Sequence, residues 1–174
     1  MVERGTFLGA VLVLLLGLSG TANAANSWGL PAEEKVRFEA RVVDILCELS
    51  GNCPARCGAG KRQLGLLRDD GTLVLAMKNA GMFSGASDDL LPFCGRRIVA
   101  DGLFSTNFGV RVFALQFLKP VDGEWNNARQ FIRNWSKTRG LKITDPKAKS
   151  WFRHDEKIKA VIAEQGPTGL KGRN

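Results

Sequence analysis

Residues 36–46 read VRFEARVVDIL, and Val36, Phe38, Ala40 and Val42 alternate with charged side chains. A period of two places one face of an extended segment in a core and the other in water, so a half-buried strand is predicted. The alternation slips at Val42-Val43, which predicts a bulge or a more buried end. Residues 63–67 and 72–78 form two further short strands, joined by Arg68-Asp69-Asp70-Gly71. Asp-Gly between apolar runs predicts a hairpin, because the turn needs a positive φ. Residues 88–93 read as a short helix with acidic residues at its positive N-terminal end. Two more strands are predicted at 96–104 and 110–118. In the second, Val110, Val112, Ala114, Gln116 and Leu118 share one face, and Arg111, Phe113, Leu115 and Phe117 share the other. Both faces are largely apolar, which marks a central strand.

The period then changes. Trp125, Ala128, Ile132 and Trp135 have helical spacing, widened by Phe131, in a segment that starts at Asp122 or Gly123 and ends at Gly140. Asp145-Pro146 supplies an N-cap and a first-turn proline for a second helix. Its stripe is Ala148, Trp151, Phe152, Ile158, Val161 and Ile162, closing near Gly166-Pro167. The resulting expectation is an α+β chain. A lead (25–35) enters a five-stranded, antiparallel barrel like the oligonucleotide/oligosaccharide-binding (OB) fold over 36–118. Two amphipathic helices (119–166) and a polar, disordered tail (167–174) follow. Another small antiparallel barrel or sandwich is the rival architecture.

Ahead of this lies an apolar run, residues 7–18, followed by small residues ending in Ala22-Asn23-Ala24. The run is shorter than the roughly 20 residues that span a bilayer, and the ending is the A-x-A pattern read by signal peptidase. Residues 1–24 are therefore expected to be a cleaved secretory signal peptide, although Glu3 offsets Arg4 in its first segment. An uncleaved anchor is the rival reading. The mature chain is expected to begin at Ala25 and to be soluble in the periplasm or secreted.

Charge changes the picture of the helical region. The chain carries a net +8, yet residues 25–118 hold eleven basic and ten acidic side chains. Residues 119–174 hold thirteen basic and six acidic, along with Trp125, Trp135 and Trp151. If the apolar stripes, led by Trp125, Ile132 and Trp135, pack on the barrel, then Arg129, Arg133, Lys137, Lys147, Arg153 and Lys157 face outward. Solubility needs no such excess of one sign. These six are the candidate partner-binding residues, with an acidic periplasmic protein as the expected partner. An anionic membrane surface is the second candidate, and export argues against nucleic acid.

Cys47, Cys53 and Cys57 sit close together and Cys94 follows the short helix. In an exported chain four cysteines most simply form two disulfides. The favoured pairing is one bridge within 47–57 and one from that loop to Cys94. The alternative is a thiol-redox or metal-handling protein using the same cluster. No Cys-x2-Cys pair is present, which is poor for zinc and for thiol activation alike. Neither a cofactor nor a metal is assigned, metal at these cysteines being the minority reading.

No side chains form a recognisable catalytic set, and no catalytic residue is assigned. Gly58-Ala59-Gly60-Lys61-Arg62 lacks the Gly and the Ser or Thr of a phosphate-binding loop. His154, the single histidine, reads as a solvated helix residue. Asp69-Asp70 and Asp88-Asp89 fit turn and helix-start chemistry. Asn134-Trp135-Ser136 fits the glycosylation pattern but falls inside a predicted helix.

At Val42-Val43-Asp44-Ile45-Leu46-Cys47, Cys53-x3-Cys57-x2-Gly60, Leu64-Gly65-Leu66-Leu67 and Asp69-Asp70-Gly71 the chain resembles small exported bacterial proteins of OB-like fold and unknown function. The resemblance covers about residues 36–118 and leaves the helical region outside. It implies a bacterial periplasm and supplies no reaction. Some members carry a His before the second cysteine. This chain has Asn52 there, which weakens a metal site.

Overall fold

The computed structural model describes residues 25–167. The expected signal peptide (1–24), and all of the expected disordered tail but its first residue, lie outside the described residues.

The chain is α+β, dominated by an antiparallel sheet. Strand β1 (Glu34–Asp44) is followed by helix α1 (Ile45–Ser50), strands β2 (Leu64–Leu67), β3 (Leu73–Val74) and β4 (Ala76–Lys78), and the short helix α2 (Ser87–Leu90). Strands β5 (Arg97–Asn107), β6 (Val110–Pro120) and β7 (Asn126–Asn127) complete the sheet. Helices α3 (Gln130–Lys137), α4 (Pro146–Lys149) and α5 (Glu156–Gln165) form the extension. The strand order is β3-β2-β1-β5-β6-β4, with β7 on β6, and every pairing is antiparallel except β4 with β6.

Seven strands stand where five were expected. The predicted strand 72–78 divides at Leu75, whose carbonyl accepts the Phe113 N–H at 2.9 Å and so turns from one neighbour to the other. β7 is an added two-residue strand. The path of hydrogen-bonded neighbours is open, and its ends, β3 and β4, are one residue apart in sequence.

The slip at Val42-Val43 marks a buried end: Val42, Val43 and Asp44 are all buried. β1 stops at Asp44 because its carboxylate accepts the Cys47 N–H at 3.1 Å and caps α1, so Cys47 lies on a helix. In the 68–71 turn only Gly71 has a positive φ, 81°. The loop closes through Arg68 N–H to the Thr72 carbonyl, 3.0 Å.

The even alternation expected along β6 fails at Gln116. Asp101 pairs with Phe117 and Gly102 with Leu115, which leaves Gln116 as the extra residue of a bulge. Phe113, Leu115 and Leu118 consequently share the core with Ala40, Val42, Leu64, Leu66 and Ile98. Ala114 instead lies with Ala25 and Leu103 on the other side of the sheet.

Both long helices expected in the extension are corrected. The first is confined to α3, and Trp125 and Ala128 precede it. Trp125 lies against Arg37, whose guanidinium is 4.7 Å from its ring centre. The second is broken into α4, a 3-10 turn at Trp151–Arg153, and α5, because Asp155 turns its carboxylate onto the Lys157 and Ile158 N–H groups and starts a new helix. The apolar stripes do not lie mainly on the sheet. Ile132, Trp135, Ala148 and Trp151 form a second core, joined by Phe131, Leu141, Ile143, Phe152 and Ile158.

The cysteines form two bridges, Cys47–Cys53 and Cys57–Cys94, with Cα separations of 4.4 and 6.2 Å. No helix among the described residues is long and apolar enough to cross a membrane.

Candidate functional site

The two cores meet at the loop between β4 and α2. Asn79 is wholly buried at its start and organises it. Its Oδ1 accepts the Gly81 N–H at 2.7 Å and the Ser84 hydroxyl at 2.6 Å, and its Nδ2 donates to Asp89 Oδ2 at 2.7 Å. The other Asp89 oxygen accepts the N–H of Gln130, the first residue of α3, at 2.8 Å. Burial raises the Asp89 pKa above the ordinary carboxyl range, while these two hydrogen bonds oppose the rise. Nearby, Lys78 Nζ donates to the Gly81 carbonyl, and burial lowers its pKa.

The extension grips the same loop. Trp151 Nε1–H donates to the Met82 carbonyl at 2.6 Å, and Phe152 meets Phe83 edge-on, ring centres 4.6 Å apart. Held this way, the loop presents two large apolar side chains outward: Met82 is 57% and Phe83 70% exposed. Phe83 has φ of 51°, a backbone state a bulky residue rarely adopts without surrounding structure to enforce it.

Beside this pair is a hollow of about 270 Å³, floored by Met82, Ile132, Ile143 and Ala148 and bordered by Arg129 and Lys149. Arg129, Arg133, Lys137, Lys147, Arg153 and Lys157 are all exposed. None is within ion-pair distance of a carboxylate among the described residues. They do not converge on one hollow. Arg129 borders the one beside Met82, Arg133 borders another with Asp88 and Asp89, and Lys157 a third with Trp135 and Asp155. Spaced by four residues along α3 and its cap, Arg129, Arg133 and Lys137 share one helical face.

Sequence reasoning missed Met82, Phe83 and Lys149. Met82-Phe83 lay between predicted elements without a periodic pattern to mark it. Lys149 stands on the same short helix as Lys147, and apolar periodicity does not distinguish which of the two borders the hollow. Asp89, read as helix-start chemistry, is the latch between body and extension. His154 is exposed on the extension. All four cysteines are in bridges, and in that state none offers a thiolate. In comparisons with models of protein families, with curated proteins and with solved structures, nothing matches this chain.

Proposed function

We propose that the protein is an exported, non-enzymatic binding or accessory module that docks an acidic protein partner through its basic extension. The carrying observation is the exposed Met82-Phe83 pair, pinned by buried hydrogen bonds and flanked by Arg129 and Lys149, neither of which is within ion-pair distance of a carboxylate among the described residues. Aromatic and methionine side chains at a centre, with arginine around them, are the composition that protein interfaces favour over the general surface. A single-sign rim steers an oppositely charged partner into register.

The body is an OB-like barrel in this reading. Taking β3 and β4 as one strand bent at Leu75 joins the two ends of the sheet path. A five-strand ring then runs β1, β2, β3/β4, β6, β5, with the short helix α2 between its third and fourth members in sequence. Export to the bacterial periplasm is supported by the apolar run ending in Ala-x-Ala and by two disulfides, which persist in oxidising compartments. The paired cysteines favour docking over the thiol alternative, which needs reduced sulfur.

The test is affinity capture from periplasmic extract with the parent and with Arg129→Glu/Lys149→Glu/Arg153→Glu, which reverses the cations beside Met82 and the Phe83–Phe152 contact. An acidic protein held by the parent and released by the charge-reversed form supports the proposal. Equal capture by both overturns it.

A further inference from the structure

The first described residue sits in a socket assembled from three strands. Ala25 is buried against Leu103 and Ala114, with Trp28 packed on the group. Its backbone nitrogen donates to Asp101 Oδ1 at 2.8 Å. Asp101, on β5, is itself buried, and its Oδ2 accepts from Arg37 Nε on β1 at 2.6 Å. Gln116, the bulge residue of β6, holds Asn26 twice: Oε1 accepts the Asn26 N–H at 2.8 Å, and Nε2 donates to the Asn26 carbonyl at 2.6 Å. A neutral amide N–H is satisfied by any carbonyl. A buried carboxylate is a costly acceptor unless cations surround it.

We infer that this socket receives the α-ammonium group that export creates at Ala25, with Asp101 as its counter-ion. The inference rests on the reading that signal peptidase cuts after Ala24. In that cut, water hydrolyses the Ala24–Ala25 amide. Ala24 leaves with the new carboxylate, and Ala25 keeps the nitrogen and takes up the released proton to become an ammonium. The nitrogen that donated one hydrogen as an amide now brings a full charge to the same oxygen, and an ammonium–carboxylate ion pair replaces a bond in which only the acceptor was charged. Processing thereby fastens the lead more firmly onto β5 and β6, since the uncut chain holds the same oxygen with a neutral amide N–H alone. The charged groups around the site are few. Arg37 shares the carboxylate and opposes the amine's protonation, and its guanidinium also lies over the Trp125 ring. Lys78 Nζ lies 5.2 Å from the Trp28 ring centre, Glu33 accepts the Trp28 N–H, and Lys119 lies over the Trp125 ring. Burial of Ala25 also opposes protonation, so the Asp101 charge must outweigh it.

The experiment uses protein purified from the periplasm. Its amino terminus is sequenced, and the α-amine is titrated by amine-selective labelling followed by mass spectrometry of the terminal peptide. A free α-amine titrates near pH 7.7–8.0. Beside Asp101 the value should lie about one pH unit higher, so labelling at neutral pH should be about tenfold slower than in Asp101→Asn. A second form, with Gly-Ser inserted between Ala24 and Ala25, keeps Asp101 and moves the charge away. It should label at the ordinary rate and melt at a lower temperature than the parent, and it serves as the comparison if Asp101→Asn does not fold. A terminus other than Ala25 overturns the processing reading and this inference with it. A terminus at Ala25 whose amine titrates at the ordinary value overturns the inference alone.

Discussion

Single residues carry more of this structure than their sequence neighbourhoods announce. Gly102 faces the β6 bulge, and a Cβ there would collide with the Ala114 carbonyl oxygen and the Phe113 ring. Gly102→Ala should therefore destabilise the protein by about 1–3 kcal/mol through displaced backbone, read as a lowered Tm. Asp155 is the equivalent pivot of the extension. Its Oδ2 accepts from Trp135 Nε1 at 2.8 Å and from Arg139 at 3.1 Å, while Oδ1 caps α5. The Trp135 hydrogen bond, with smaller help from the α5 cap and Arg139, lowers its pKa below the ordinary value. A carboxyl depressed in the folded state stabilises above its unfolded pKa, about 3.9, and loses that contribution as pH falls through the folded value. Trp135 fluorescence should therefore report loosening of the extension only below about pH 4. In Asp155→Asn the same loosening should be present at neutral pH. Neither pivot was legible in the sequence. Gly102 lies in an ordinary strand pattern, and Asp155 looks like one charge among many on a predicted long helix.

Elements were easier to read than their ends. The strands expected at 36–46 and 110–118 follow from alternation, and β1 and β6 stand there, while the strands expected at 63–67 and 96–104 coincide with β2 and β5, whose buried residues run consecutively. Breaks in the elements were set by side chains acting on backbone, which periodicity does not record. Asp44 ends β1, Leu75 divides a strand, and Asp155 divides a helix. The cysteine pairing favoured by spacing matches the bridges, one inside the loop and one to Cys94. The two are unequal in effect. Cys57 and Cys94 are 37 positions apart and Cys47 and Cys53 only 6, so chain entropy assigns about 4 kcal/mol to the first and about 2 to the second. Cys94→Ser should accordingly lower Tm well beyond Cys53→Ser. Equal melting of Cys94→Ser and parent would contradict the staple.

At the scale of the whole molecule, the division into a neutral body and a basic extension was visible in the charge count alone, and the extension's own core was not. Trp135 and Trp151, expected to cover the barrel, pack instead with Ile132 and Ala148, while Trp125 lies against Arg37 of β1. The extension is therefore a small second body, attached through Asp89 and the Met82-Phe83 loop. That attachment leaves Phe83 exposed at the seam, where the proposed docking would use its outer face while its edge contact with Phe152 holds the loop. Phe83→Ala should weaken partner binding by about 2 kcal/mol, the scale of an interface hot spot, and should lower Tm modestly, because the edge-on contact with Phe152 contributes about 0.5–1.5 kcal/mol. The most direct measurement is the salt dependence of Kd for the captured acidic partner, by titration calorimetry on parent and Arg129→Glu/Lys149→Glu/Arg153→Glu. Docking through the basic extension predicts parent binding that weakens steeply as salt rises, and reversed-charge binding that is weaker at low salt with a flattened slope. Equal affinities and equal slopes in the two proteins would contradict it.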